Sequence, residues 1–234
     1  MASVGPPDDP APSREPTRGW LARHGWRVAL LFVGLLLPMW GFAELADEVH
    51  EGEPLPFDAP LLEAARAAAS ARLDTFFVWV SRLGYEYGLV PFDIAFVLVL
   101  VLLRRRREAL FAALALGGSA LLNVGTKALF ARDRPSLWES IAPEETFSFP
   151  SGHAMGSATL AWVLVLLAWR TRWRWPVLAV ALAGVLLVGT SRVYLGVHYP
   201  SDVLAGWAAA SIWAGACFLL LYGLHGRPWS PHRP

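Results

Sequence analysis

His198 and Asp202 stand four residues apart in SRVYLGVHYPSD, residues 191–202. At this spacing, near a helix start, a carboxylate can accept the Nδ1 proton of an imidazole. Such a carboxylate fixes the tautomer and leaves Nε2 as a free lone pair, the form a nucleophile needs. Arg192, in the same stretch, adds a cation. A second segment, FPSGHAMGSA from Phe149 to Ala158, puts Ser151 at a helix N-cap, Gly152 where a ligand can come close to the backbone, and His153 in the first turn. The free amides of that turn and the positive end of the helix dipole suit an anion. A third segment, KALFARDRP from Lys127 to Pro135, holds the only lysine of the chain beside 19 arginines. Pro135 pushes Arg134 out of helical geometry, so its guanidinium hangs from a loop.

Each segment alone has an ordinary reading: a snorkelling lysine, a plain helix start, a structural His–Asp pair. Together they say more. Lys127, Arg134 and Arg192 repel one another unless an anion relieves them. Asp133, Glu139, Glu144 and Glu145 are near enough in sequence to do so, but they do not account for two histidines, one with its own Asp, beside a helix N-terminus. Three cations and exposed amides match the non-bridging oxygens of a phosphoryl group, and the histidines supply a nucleophile and an acid.

Lys127 with Arg134-Pro135, then Pro150-Ser151-Gly152-His153, then Ser191-Arg192 with His198 and Asp202, resembles the three-part signature of the type 2 phosphatidic acid phosphatase superfamily. That superfamily includes lipid phosphate phosphatases, glucose-6-phosphatase and vanadium haloperoxidases. All eleven signature positions are present, in order and at the right internal spacing. The resemblance implies that His198 attacks phosphorus to give a phosphohistidine, while Asp202 orients it. It implies that His153 protonates the leaving oxygen and then activates water. Lys127, Arg134 and Arg192 would hold the phosphoryl oxygens, with hydrogen bonds from Ser151 and the Gly152 amide. Neither a metal nor another cofactor is expected, since the cations do that work.

These residues need elements to hold them. Of the 234 residues, 55% are hydrophobic and only 17% charged, against about a quarter charged in a soluble domain. Apolar runs long enough to cross a bilayer recur. The expectation is an all-α membrane bundle of six spans, near Val28–Ala46, Gly84–Leu103, Ala109–Phe130, Ser151–Trp169, Trp175–Ser191 and Val203–Leu224. Residues 1–27 and 225–234 would be tails on either side of a 28–224 phosphatase domain. Leu61–Leu83 has helical Ala/Leu character but carries Glu63, Arg66, Arg72, Asp74 and Arg82, charges that disfavour insertion and predict an amphipathic helix at the interface or a partly re-entrant one. Net charge is +1, so nucleic acid is not an expected partner.

Orientation follows from the arginines. The tail, the gaps after the second and fourth spans, and the C-terminus hold 13 of the 20 basic residues. Both termini are therefore expected in the cytoplasm and the three motifs at the extracytoplasmic face of the cell membrane. Trp20, Trp26, Trp169, Trp173, Trp175 and Trp229 fit an aromatic belt on the cytoplasmic side.

Asp93 falls near mid-bilayer, where an ionisable group is a functional candidate by default; a neutral carboxyl, or a pair with Asn123 or a neighbouring hydroxyl, is the alternative. Cys217, the single cysteine, reads as a small apolar residue. The leading expectation is hydrolysis of a lipid phosphate or diphosphate. Undecaprenyl diphosphate, phosphatidylglycerol phosphate and phosphatidic acid all carry the group the motifs recognise. The alternatives are a phosphotransferase using the same intermediate, or a non-enzymatic anion- or haem-binding protein with His153 and His198 as ligands. Haem would want histidines within facing spans, and here both stand at span ends beside cations.

Overall fold

Long runs of Leu, Val and Ala can satisfy their backbone polar groups in lipid only as helices or closed barrels. This computed structural model describes residues 32–223 together with Pro228 and Trp229, and every regular element among them is helical. A π-helical turn, Phe32–Leu36, leads into α1, Leu37–Glu51. There follow α2, Asp58–Ala67; α3, Ala71–Leu83; α4, Leu89–Leu102; α5, Arg106–Phe130; α6, Gly152–Ala168; α7, Arg174–Tyr194; and α8, Pro200–Tyr222. The expected all-α class is what forms. Val28–Leu31 of the first expected span, and the expected tails apart from Pro228 and Trp229, lie outside the described residues.

Among the described residues α5, α7 and α8 are long and apolar enough to cross a bilayer, while α4 and α6 are apolar but shorter. Helix α1 runs five residues past Ala46 to Glu51, and α4 begins at Leu89 rather than Gly84. Helix α6 is central. It packs against α4, α5, α7 and α8, and its Val163 and Leu167 join Phe111 of α5 and Cys217 of α8 in one buried apolar cluster. At its N-terminal end α8 comes close because Gly206 has no side chain: a Cβ there would stand 2.8 Å from the Ser151 carbonyl oxygen.

The expectation of one amphipathic helix over Leu61–Leu83 is corrected. The chain breaks at Ala68–Ser70 into α2 and α3, and Ser70, in extended conformation, caps α3 by accepting from the Leu73 amide at 3.4 Å. Both helices pack on the bundle. Phe77 of α3 meets Tyr194 of α7 with ring centroids 4.4 Å apart, and the Tyr194 hydroxyl donates to Asp74 at 2.6 Å. The charges that disfavour insertion are thus spent in part on tertiary contacts. At the opposite end of the bundle, Trp169 and Trp175 lie 6.3 Å apart, Arg174 covers Trp175, and Trp229 donates to the Leu167 carbonyl.

Candidate active site

Three chain reversals bring the motifs together. Helix α5 stops because Ala131 adopts the left-handed conformation, φ +44°, so Lys127 stays in the last turn while Arg132 and Arg134 leave in the loop. Ser151 is the N-cap of α6, accepting from the Ala154 amide, as its residue type predicts. Between α7 and α8 the chain turns at Gly196, φ +69°, where a Cβ would stand 2.6 Å from the Trp138 ring. Only a glycine meets both the dihedral and the contact. A backbone bond from the Ser151 amide to the Asp202 carbonyl, 3.0 Å, then ties the second motif to the third.

His198 and Asp202 are fully buried. The Nδ1 atom of His198 faces Asp202 Oδ2 at 3.4 Å, and the Ser148 hydroxyl lies between them, 3.3 Å from Nδ1 and donating to Oδ2 at 2.5 Å. Asp202 also accepts from the Tyr199 amide at 2.8 Å and from Arg132 Nη1 at 2.6 Å. With this many donors the carboxylate is held as an anion facing Nδ1, the arrangement expected from the i, i+4 spacing. Burial pulls the His198 imidazole down to about 4, against the upward pull of Asp202. His198 is therefore neutral at ordinary pH, with its Nε2 lone pair on the far side of the ring.

That Nε2 faces a cradle of cations. Arg134 Nη1 is 3.2 Å from it and also donates to the Val197 carbonyl at 2.7 Å. Arg192 belongs to the last turn of α7 rather than to a loop, is 1% exposed, and is aimed by the Ser81 hydroxyl of α3. Lys127 Nζ donates to Thr146 Oγ1 at 2.9 Å, an oxygen it shares with Arg134.

Glu144 fills the middle of the cradle. It accepts from Arg192 and, at 2.7 Å, from Arg134, and lies 3.9 Å from His198 Nε2 and 3.8 Å from His153 Nδ1. Burial alone raises a carboxyl, but Arg192, His198, Arg134 and His153 outweigh it and hold Glu144 down at about 2. Of the four acids able to neutralise the cations, this is the one that closes on the cradle. A planar anion thus sits where two guanidiniums and two imidazoles converge, with Lys127 held nearby on Thr146.

His153 lies in the first turn of α6 as expected, its ring stacked on Tyr85 at 4.7 Å. The Ser151 hydroxyl is occupied as a helix cap, so its expected bond to a ligand competes with that role. Four participants were not singled out as site residues from sequence. Arg132 bridges Asp202 and Asp58, at 2.6 and 2.9 Å, and stacks over Tyr199. Asp58 of α2 accepts from the amide and hydroxyl of Ser201 at 2.9 and 2.6 Å. Ser148 and Ser81 complete the set. Only Arg132, two residues before Arg134, carried a local signal.

Known proteins are similar to this chain in sequence and in fold. The PAP2 superfamily pattern matches residues 108–225. The chain is 31% identical over 172 residues to phosphatidylglycerophosphatase B of Bacillus subtilis, covering 71% of this chain and 84% of that one. It is 32% identical over 160 residues to the undecaprenyl-diphosphatase of Sulfolobus acidocaldarius, covering 66% and 74%. Its fold is similar to the crystal structure of a transmembrane PAP2-type phosphatidylglycerolphosphate phosphatase from Bacillus subtilis, with a TM-score of 0.68 at 27% identity over 78% of this chain and 92% of that one. It is also similar to Aquifex aeolicus LpxE, with a TM-score of 0.59 at 26% identity over 70% and 96%. The chain belongs to the PAP2 superfamily.

Proposed function

We propose that this PAP2-type lipid phosphatase removes a phosphoryl group from a lipid phosphate or diphosphate through a phosphohistidine on His198, at the extracytoplasmic face of the membrane. The observation that carries this reading is the Glu144 carboxylate, an anion held by Arg134 and Arg192 at 3.9 Å from the neutral His198 Nε2. A phosphoryl group displacing it would meet the same two guanidiniums, with Lys127 beside them.

The chemistry then runs in two steps. His198 Nε2 forms a bond to phosphorus as the bond to the lipid oxygen breaks, and His153 gives that oxygen its proton. Asp202 accepts a hydrogen bond from Nδ1–H and stabilises the positive charge on the ring. Next a water, deprotonated by His153, attacks phosphorus and the electron pair returns to Nε2. The cations hold the charge of the five-coordinate transition state.

Six spans, with 28–224 as the phosphatase domain and both termini in the cytoplasm, are the topology that the arginine bias supports. The relatives' names point to phosphatidylglycerol phosphate and undecaprenyl diphosphate as the first substrates to try, with phosphatidic acid beside them. The experiment is phosphate release by the detergent-purified protein in EDTA, next to a His198→Ala variant. Metal-independent release that vanishes in the variant is expected. Equal release by the variant overturns the reading.

A further inference from the structure

A cavity of about 50 Å³ lies between α4, α5 and α6, immediately behind Gly152. Its polar wall is Tyr85, Asp93, Ser119, Asn123, Gly152 and Thr159. Asp93 Oδ1 is buried and has no hydrogen-bond partner within the protein. The Thr159 hydroxyl donates to the Met155 carbonyl at 2.8 Å, so Ser119 must be the donor in the 2.8 Å Ser119–Thr159 contact, which leaves the lone pairs of its own oxygen free. Asn123 Nδ2 donates to the Pro150 carbonyl at 3.1 Å, which turns its Oδ1 the other way, toward Gly152. Three side chains therefore present acceptors, and no Lys or Arg lines the space.

The ligand that suits such a space is a small hydrogen-bond donor. A buried water needs roughly 10–15 Å³ and two to four polar partners, so the cavity has room for about three. Its position gives those waters a use. Gly152 precedes His153 in the chain, and Tyr85, which lines the cavity, stacks its ring on His153.

We propose that this chamber holds water and supplies the molecule that hydrolyses the phosphohistidine, with Asp93 as a positioning residue that keeps the chamber wet. The inference rests on the phosphohistidine reading above. In the step, the water oxygen bonds to phosphorus, the P–Nε2 bond breaks with its electron pair returning to His198, and the water proton passes to His153.

The test is rapid-quench turnover of p-nitrophenyl phosphate, whose leaving group needs no acid, by the full chain and three variants. Asp93→Leu dries the chamber with a side chain that lipid-facing helices tolerate, Asp93→Asn keeps a polar group there, and His153→Ala removes the base of the second step. The expected result for Asp93→Leu is a retained burst of about one p-nitrophenolate per site with steady-state turnover slowed about tenfold or more, and for Asp93→Asn turnover within about threefold of wild type. Wild-type turnover by Asp93→Leu, or slow turnover without a burst while His153→Ala still bursts, overturns the chamber's role. Absence of a burst in His153→Ala is the separate outcome in which the phosphohistidine reading fails and takes this inference with it.

Discussion

Glu144 and Arg192 are joined directly, carboxylate to guanidinium, at the centre of the phosphate cradle. Arg192 is 1% exposed, and a buried guanidinium without a partner is strongly destabilising. On the proposed function, Glu144 holds the cradle together until a phosphoryl group takes its place, and it competes with that group.

Glu144→Gln is expected to loosen the resting protein and tighten its grip on inorganic phosphate or vanadate. Removing one charge-assisted competitor corresponds to about a tenfold tighter Kd, or about 1.4 kcal/mol. Thermal unfolding with and without phosphate checks both halves at once. The variant has the lower Tm alone and the larger phosphate-induced rise. A phosphate response weaker than wild type would mean that Glu144 helps to bind the ligand.

Asp202→Asn removes the anion facing His198 Nδ1 while keeping the side-chain volume. By analogy with other imidazoles that lose their orienting carboxylate, kcat should fall by roughly 10³–10⁴ with KM little changed. Steady-state kinetics on a lipid phosphate measures the split. A loss confined to KM would contradict the orienting role.

The pH dependence of stability has a definite sign. His198 is held near 4 by burial, below its unfolded value of about 6.5. Between those two values the unfolded chain binds the extra proton, so stability falls as pH is lowered from 6.5 toward 4. Glu144, lowered from 4.5 to about 2, extends the loss over that lower window, because its favourable contacts vanish as it is protonated. Tm measured from pH 7 to pH 4 should therefore decline, and His198→Gln should flatten the upper part of the decline. An unchanged slope in that variant would assign the effect elsewhere.

Arg132→Ala leaves Asp58 and Asp202 without their shared cation. Both carboxylates are buried, and breaking such a pair typically costs about 3–5 kcal/mol. The expected outcome is a large fall in Tm with loss of activity, whereas Asp133→Ala, at an exposed neighbouring position, should change neither by much. Gly196→Ala should act through geometry alone: the φ of +69° costs about 1–2 kcal/mol for a residue with a Cβ, and the Trp138 contact adds to it. Because His198 lies two residues on, kcat should fall along with stability.

The three motifs were legible because each is short and its spacing is local. The Ser151 cap and the facing of His198 by Asp202 followed from residue types within a single helical turn. What closes the site around them was not legible. Arg192 meets Ser81 across 111 positions and Glu144 across 48, and Ser201 meets Asp58 across 143. No periodicity encodes such distances. Glu144 was one of four equivalent acids in the sequence, and only the loop's path through Thr146 and Ser148 selects it. The helices followed from apolar runs, but the break at Ala68–Ser70 did not, since Ala favours helix and only the extended Ser70 cap divides α2 from α3. Asp93 stood out by its depth in an apolar run, with Asn123 or a hydroxyl of a neighbouring span as its candidate neighbour; that the hydroxyls beside it are Ser119 and Thr159 emerged only from helix packing.

Asp58 and Ser81, which brace Ser201 and Arg192, belong to α2 and α3, outside the stretch from 108 to 225 that matches the superfamily. The candidate site is therefore not a transplantable cassette. A chimaera that joins residues 108–225 to the N-terminal half of another relative inherits every signature residue, yet it will work only if the donor half brings an acid and a hydroxyl to the same two places. Drift in that half of the chain is coupled through these contacts to the half that carries the motifs, so the family's sequence divergence should be less free at 58 and 81 than at the positions around them.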